Sequence, residues 1–177
     1  MSTTTWNIDP VHSAAEFKVK HLMISNVKGT FGGLKGTLTL NEADPTLSSV
    51  QASVDVGTLN TGEAQRDGHL KSADFFDVEK FPEMTFHSTA VKSTGTGEYA
   101  VTGDLTLHGV TKSVTFAAEG PGATSRDPWG NLRVGVSATT KINRKDFGLV
   151  YNAALETGGV LVGEEVAITL DVEFIQG

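Results

Sequence analysis

The sequence predicts an all-β protein, an extended eight-stranded antiparallel up-and-down β-barrel closed by one or two short helices. Alternation of apolar and polar residues recurs through most of the 177 residues. Turn-forming segments rich in Gly, Pro, Asn and Asp separate the alternating stretches. Too little helical pattern remains to cover a flat sheet of that size, and such a sheet buries its apolar face by folding on itself. The length fits a single domain over residues 1–177.

Each predicted strand places its apolar residues at every second position, which puts them on one face of the sheet. The last strand shows this most clearly, since Val166, Ile168, Leu170 and Val172 alternate with polar or small residues. In chain order, the strands are expected at "AEFKVKH", "KGTFGGLKGTLTL", "VQASVDV", "MTFHSTAV", "YAVTGDLTL", "SVTFAAE", "LRVGVSATTKI" and "EVAITLDVEF".

The second strand changes its parity midway. Val27 and Phe31 share one face by spacing, whereas Leu34 and Leu38 share the other. The change falls at Gly32-Gly33, where one extra residue would form a β-bulge and bend the strand.

The block from Arg66 to Phe86 interrupts the alternation with charges, a histidine and four phenylalanines. "TGEAQRDGHLKSADFF" predicts a short helix with Thr61 as its N-cap. Phe75, Phe76 and Phe81 would then point back toward the barrel as a lid.

A second helical turn is expected at "NRKDFG". Asn143 would cap its start, because Asn side chains accept hydrogen bonds from the first helical N–H groups. Gly148 would end it.

Charge and composition exclude some function classes and disfavour others. The net charge is −7 and the sequence pI is about 5.1, and no cluster of Lys and Arg supplies the basic face that nucleic-acid binding normally shows. A membrane-surface role through anionic lipids is disfavoured for the same reason. The absence of cysteine excludes disulfides, thiolate chemistry and iron–sulfur ligation. No apolar run is long enough for a membrane span, so no stable membrane insertion is expected. "MSTTTWNIDP" lacks the pattern of a signal peptide, which favours a cytoplasmic location, or a periplasmic one if a leader was trimmed.

The histidines do not predict a metal site, because no two of them have a recurrent metal-ligand spacing. Three of them, His12, His21 and His69, would form a cluster only if the fold brought them together. Strand-end hydrogen bonding is the simpler interpretation.

Three carboxylates close in sequence, Asp67, Asp74 and Asp77, offer a pair for acid–base catalysis. Local salt bridges and helix caps with Arg66 and Lys71 are the commoner use of such residues. Serine-nucleophile motifs and a phosphate-binding glycine loop are absent from the sequence.

Five motifs occur in order along the chain: "WNIDPVHSAAEFKVKHLMISNVKGTF", "RDGHLKSADFFDVEKFPEMTF", "GDLTLHGVTKSV", "NRKDFGLVYN" and "GEEVAITLDVEF". Their order and spacing resemble the bacterial YceI-like family of polyisoprenoid-binding proteins, from about Trp6 to Phe174. The resemblance implies a lipocalin-like barrel whose apolar interior holds a long-chain isoprenoid or a quinone-like lipid. It implies no catalytic residue and no cofactor. The matching positions are Arg66, Asp67, His69, Leu70, Asp74, Phe75, Phe76, His108, Gly109, Asn143, Arg144, Phe147 and Gly148.

The sequence therefore predicts a non-enzymatic lipid carrier, with Arg66, His69 and Arg144 as contacts for a polar head group. Two alternatives stay open: an enzyme acting on such a lipid through Asp67, His69 or Asp74, and a partner-binding β domain without a cavity. An exposed strand edge or apolar mouth would also permit a homodimer. The expected lipid-binding residues are Phe17, Val19, Phe31, Val54, Phe75, Phe76, Phe86, Leu105, Phe116, Val134, Val136, Phe147, Ile168 and Leu170.

Overall fold

A computed structural model describes residues 2–152 and 161–177. Its described part contains one α-helix, three 3-10 turns and ten strands that belong to one sheet. The helix is α1 (Ala64–Lys71), and the 3-10 turns are Pro10–His12, Pro45–Leu47 and Arg144–Phe147. The strands are β1 (Thr3–Ile8), β2 (Ala14–His21), β3 (Ser25–Asn41), β4 (Ser49–Asn60), β5 (Glu83–Gly95), β6 (Glu98–Leu107), β7 (Val110–Glu119), β8 (Ser125–Arg126), β9 (Leu132–Asn143) and β10 (Val162–Gln176).

Eight of the strands close into an antiparallel barrel in the order β2-β3-β4-β5-β6-β7-β9-β10, with β10 returning to β2. Successive barrel strands are neighbours along the chain, apart from the two-residue β8 on the edge of β9. The predicted eight-stranded up-and-down barrel is confirmed.

Strand β1 was not predicted. It pairs with the second half of β3 and with the end of β10, while β2 pairs with the first half of β3. The two short strands together therefore cover the length of one barrel strand, joined by the turn Pro10–His12. In "TTTWNI" just Trp6 and Ile8 are buried, so the segment has too few apolar residues to show a period.

The predicted bulge in β3 is present. The register with β4 shifts on both sides of Gly32, and Gly33 has a φ of 64°. Leu34 is buried after the shift, as the change of parity requires.

The two helical segments form where they were predicted, with one correction. The N-cap of α1 is Glu63, whose carboxylate accepts hydrogen bonds from the N–H groups of Gln65 and Arg66. Thr61 is therefore not the cap, and its hydroxyl instead binds Asp67 within the helix. The turn Arg144–Phe147 is capped by Asn143 and ends at Gly148, which has a φ of 77°.

The buried residues form two clusters. One surrounds Trp6 and includes Leu38, Val134 and Phe174; it fills what we call the closed end of the barrel. The other surrounds Phe147 and lies toward the opposite end. That open end is formed by the β2–β3 turn, α1 and the turn Arg144–Phe147. In the described part of the chain, no helix has the length and apolar character to cross a membrane.

Candidate functional site

An inner cavity of about 110 Å³ lies inside the barrel and is lined by residues of both buried clusters. Phenylalanines contribute much of its wall. Phe31 lies with its ring centroid 5.4 Å from that of Phe17 and 5.7 Å from that of Phe76, both edge-to-face. Phe86 and Phe116 form another edge-to-face pair at 5.1 Å. A narrow, mostly apolar space results.

An outer cavity of about 590 Å³ lies between the barrel and helix α1. Five residues line both cavities, so the inner cavity adjoins the outer one: Phe17, Phe76, Arg144, Leu149 and Val166. The outer volume falls within the range of about 300–1,000 Å³ that is usual for small-molecule sites.

The wall of the outer cavity contains an aromatic trio. The ring of His69 lies 5.1 Å from Phe75 and 4.9 Å from Tyr151, and these two rings are 5.0 Å apart. His69 also pairs through Nε2 with Asp74 at 2.8 Å, which fixes the orientation of its ring.

Eleven of the fourteen residues expected to bind lipid line one of these cavities. Two of them, Val19 and Phe75, line the outer cavity alone. The others are Phe17, Phe31, Val54, Phe76, Phe86, Leu105, Phe116, Ile168 and Leu170.

Three expected lining residues lie elsewhere. Val134 belongs to the packed core of the closed end, and Phe147 is 1% exposed within the second cluster. Val136 lines a separate space of about 90 Å³ near the closed end. Strand alternation places a residue on the inner face but does not say whether neighbouring side chains fill the space in front of it.

Phe81 does not act as a lid over the cavities. Its ring packs on His108, with centroids 4.9 Å apart, and lies against Gly109 at the β6–β7 turn. The expectation that all three phenylalanines of the helical block face the interior is therefore wrong for Phe81 and right for Phe75 and Phe76.

Sequence reasoning missed several lining residues, both outside the strands and on them. Tyr151 and Leu149 follow the turn Arg144–Phe147, where no period exists to reveal a face. Leu34 and Met84 lie on predicted strands, so the alternation of apolar and polar residues in those strands could have identified them as inward-facing. Further missed positions are Leu70, Leu107, Ile142, Leu161, Val162 and Val166.

Arg144 is the charged residue most deeply built into the site. It is 4% exposed, lines both cavities and donates to the carbonyl oxygens of Gly163, Leu149 and Val162 at 2.7, 2.5 and 3.3 Å. Burial lowers the pKa of its guanidinium, and Glu164 partly opposes this shift. Arg144 thus ties the segment after the 3-10 turn to the start of β10, and keeps donor capacity next to the cavities.

Helix α1 is held against the end of β4 by hydrogen bonds to Thr61. Arg66 donates from Nε and Nη2 to the hydroxyl and carbonyl oxygens of Thr61 at 2.8 and 2.9 Å. Asp67 accepts from the amide and hydroxyl of Thr61 at 2.9 and 2.5 Å. These bonds, the hydroxyl first, lower the pKa of the Asp67 carboxyl. Arg66 lines the outer cavity, and Asp67 fastens the helix.

The hypothetical cluster of His12, His21 and His69 does not form. His21 and His69 both line the outer cavity, whereas His12 binds Asp9 at the closed end. There, ligand-type atoms of Asp9, His12 and Glu173 lie within 4.8 Å of one another. Arg133 already donates to Asp9 and Glu173 at 2.7 and 2.8 Å, so a guanidinium already binds these carboxylates.

Comparison with protein families assigns the fold just described. The family model of the YceI-like domain matches residues 6–174. The chain belongs to the YceI-like family. Among curated relatives, a UPF0312 protein of Pseudomonas putida (strain W619) is 48% identical over 138 residues, 78% of this chain and 71% of that protein.

Solved structures agree with this YceI-like assignment. BcnA of Burkholderia cenocepacia superposes with a TM-score of 0.79 at 22% identity, over 94% of this chain and 98% of its own. A polyisoprenoid binding domain from Saccharophagus degradans has a TM-score of 0.69 at 16% identity, over 98% and 99% of the two chains. At these identities the likeness is one of fold.

This YceI-like barrel combines two kinds of space. The inner cavity offers apolar contact and little room, as a single hydrocarbon chain requires. The outer cavity adds polar and charged groups: the basic residues Lys20, Arg66, His69 and Arg144, and the carboxylate of Glu63.

Proposed function

We propose that this YceI-like protein binds a long-chain isoprenoid or a related amphiphilic lipid, such as an isoprenoid quinone, without transforming it. One observation carries the proposal: a narrow apolar cavity in the barrel adjoins a wider one whose lining includes several basic residues. The tail would occupy the former and the polar head group the latter.

The energetics favour a long tail. Each methylene moved from water into an apolar cavity contributes about 0.8 kcal/mol. Ordering the chain and losing free translation offset part of this gain, so a tail of roughly ten or more carbons is needed for tight binding.

The polar end of the lipid would meet Arg66, His69 or Arg144. Arg66 and His69 line the outer cavity from α1, and Arg144 lines it from the turn Arg144–Phe147. Because guanidinium groups donate several hydrogen bonds in one plane, they suit a quinone carbonyl or a phosphate oxygen.

The arrangement of the acidic groups supports binding rather than catalysis. Asp67 accepts hydrogen bonds from Thr61, and His69 is paired with Asp74. Within the described part of the outer cavity no serine or threonine lines the wall, so His69 has no alcohol of that kind to activate. The two cavities themselves count against a cavity-free partner-binding domain.

The neighbour from Saccharophagus degradans is described as a polyisoprenoid binding domain. Because it shares 16% identity with this chain, it supports the capacity of the fold and not a particular ligand.

The deciding experiment is native mass spectrometry of protein purified without detergent, followed by organic extraction of the released molecule. We expect an adduct that is a long-chain isoprenoid or quinone, or uptake of such a lipid by the empty protein. Lipid recovered chemically altered after incubation would favour the enzyme. Failure of both retention and uptake would overturn the proposal.

A further inference from the structure

The turn between β2 and β3 exposes three large apolar residues in succession. Leu22, Met23 and Ile24 are 38, 53 and 82% exposed. The N–H of Ile24 donates to the carbonyl of His21 at 3.2 Å, and both central residues have positive φ, 53° and 63°. Asn and Gly are favoured at such positions, whereas large side chains are strained there. The chain thus holds apolar side chains in water in an unfavourable backbone conformation.

The net charge of the whole chain disfavours attachment to anionic lipids, but this hairpin is locally basic. Between Glu16 and Glu42 the sequence has four lysines and no acidic residue, although the net charge of the whole chain is −7. Lys18 and Lys28 are directly opposite each other in the β2–β3 register, an unfavourable arrangement for like charges. Neither is ion-paired in the described residues. An anionic partner would relieve this repulsion.

This hairpin tip lies at the rim of the outer cavity. The N–H of Leu22 donates to the carbonyl of Leu161 at 2.9 Å, and Leu161, Lys20 and His21 line that cavity. Val150, 61% exposed, precedes the lining residue Tyr151 on the same rim. A surface that received the tip would therefore face the entrance.

We propose that the open end of the barrel docks on an anionic lipid bilayer. The turn Leu22–Ile24 inserts into the interfacial region, and Lys18 and Lys28 contact anionic headgroups. Docking would bring the outer cavity to the bilayer in which a lipid ligand resides. Its purpose rests on the proposed function, but the docking itself does not.

The shape of the tip favours a bilayer over a protein partner. A stable protein interface buries about 800 Å² on each side, which a convex three-residue turn does not provide. A bilayer yields around such a tip and also supplies the negative charge that the lysines match. At the closed end, the exposed apolar residues Val11 and Trp129 lie near Asp9 and Asp127, whose carboxylates bind Arg133, so this arginine is already ion-paired.

The two ends of the molecule can be followed with separate tryptophans. Native Trp129, 80% exposed, reports the closed end, and Ile24→Trp in a Trp129→Phe background reports the tip. Trp6, 1% exposed, is present in both proteins, and the Trp129→Phe variant alone gives its emission for subtraction. We expect vesicles of phosphatidylglycerol and phosphatidylcholine to blue-shift the emission at position 24 and leave that of Trp129 unchanged. A shift at Trp129 alone would overturn the proposal, because the closed end would then be the docking surface.

Matched variants test the two contributions by vesicle flotation. Ile24→Ser should weaken binding about fivefold, whereas Val11→Ser, equally exposed, should not. Lys18→Gln with Lys28→Gln should weaken it about tenfold or more on anionic vesicles. Removing the same charge at Lys92 and Lys112 is the control. Equal binding to vesicles of pure phosphatidylcholine would contradict the role of the lysines.

Two further outcomes are informative. Concentration-dependent dimers that Ile24→Ser abolishes, without any vesicle binding, would assign the tip to a second copy of the chain and overturn the bilayer. Lipid delivered from ethanol tests the proposed function separately. Variants that cannot dock should take up lipid normally from ethanol and slowly from vesicles. If the native protein took up lipid by neither route, the proposed function would be wrong.

Discussion

Ile168 tests the lining of the inner cavity at a single residue. It lies on β10 opposite Phe17 and Thr140 and faces the cavity. Replacing it with Asp places a carboxylate where the tail would lie, and a desolvated charge there is costly. We expect lipid retention to fall at least about tenfold, measured by native mass spectrometry.

The control for Ile168→Asp is Thr139→Asp. Thr139 pairs with Thr169 on the same strand pair and is exposed on the outer surface, so retention should not change. Unchanged retention in Ile168→Asp would remove this position from the binding site.

Substitution of Asp67 tests whether this residue fastens helix α1 or contacts the lipid. Its carboxylate accepts two hydrogen bonds from Thr61 and does not belong to the described cavity walls. We expect Asp67→Asn to lower the thermal midpoint while the lipid dissociation constant stays within about twofold. Arg66→Gln is the comparison, because Arg66 binds Thr61 too but also faces the outer cavity. A larger loss of affinity than of stability in Asp67→Asn would give Asp67 a role in the site.

Residue positions were predicted well where a period exists. Phe17, Val54 and Ile168 were assigned to the interior by alternation alone, and they line the cavity. Val134 shares that alternation and is packed against the Trp6 cluster instead. Whether an inward-facing residue lines a cavity depends on the size of the side chains that face it from the other strands. The alternation within one strand does not contain that information.

At the scale of elements, one ionic cluster fastens the closed end. Arg133 on β9 donates to Asp9 before the turn Pro10–His12, to Glu173 on β10 and to Asp127 before β9. Hydrogen bonds from Arg133 and then His12 lower the pKa of Asp9 to about 2. Burial opposes ionisation of Asp127, but hydrogen bonds from Arg133 and Asn131 outweigh it and lower its pKa to about 2.

This cluster predicts a specific acid sensitivity. A carboxyl with a folded-state pKa below its unfolded value of 3.8 stabilises the fold above that value, and the contribution is lost as the pH falls toward 2. The free energy of unfolding should therefore fall between about pH 4 and pH 2. Arg133→Gln should lower it at pH 7 and flatten this fall, measured by urea unfolding at pH 7, 4, 3 and 2. Lys92→Gln serves as the control, and an unchanged slope in Arg133→Gln would contradict the assignment.

The β2–β3 turn predicts a trade between stability and docking. Leu22 and Met23 occupy the left-handed region, which costs an ordinary residue about 1–2 kcal/mol. Replacing them with Asn and Gly should raise the free energy of unfolding by about 1 kcal/mol and weaken vesicle binding. Urea unfolding and flotation measure the two effects. Ile24→Ser should weaken binding without that gain, and a loss of stability in the double variant would show that Leu22 and Met23 stabilise the turn by packing.

Elements were predicted when local chemistry specified them. The Gly32-Gly33 bulge and the turn between Asn143 and Gly148 follow from spacing and capping. Strand β1 could not be predicted in the same way, because its pairing with β3 and β10 depends on contacts far away in sequence. The cap of α1 was wrong by two residues for a related reason: Thr61 was a good cap by type, but Asp67 competes for its hydroxyl.

At the scale of the molecule, one end of the barrel interior is filled with packed side chains and the other contains the cavities. The Trp6 cluster packs the closed end, and the ionic cluster around Arg133 holds its strands. Toward the open end the space is left to the cavities, with α1 fastened across it through Thr61. If the proposed lipid tail occupies the inner cavity, the packed end limits how deep it can reach.

That depth makes chain length a measurable property of the whole barrel. Ala52 lines the inner cavity and packs against the closed-end core, so a larger side chain there should shorten the space from its deep end. We expect Ala52→Leu and then Ala52→Phe to shift retention progressively toward shorter isoprenoids, measured with lipids of graded tail length. Val19→Phe, in the wider outer cavity, should leave the preference unchanged. Equal loss of all lengths would show that the tail does not reach Ala52, and a preserved thermal midpoint would separate that result from misfolding.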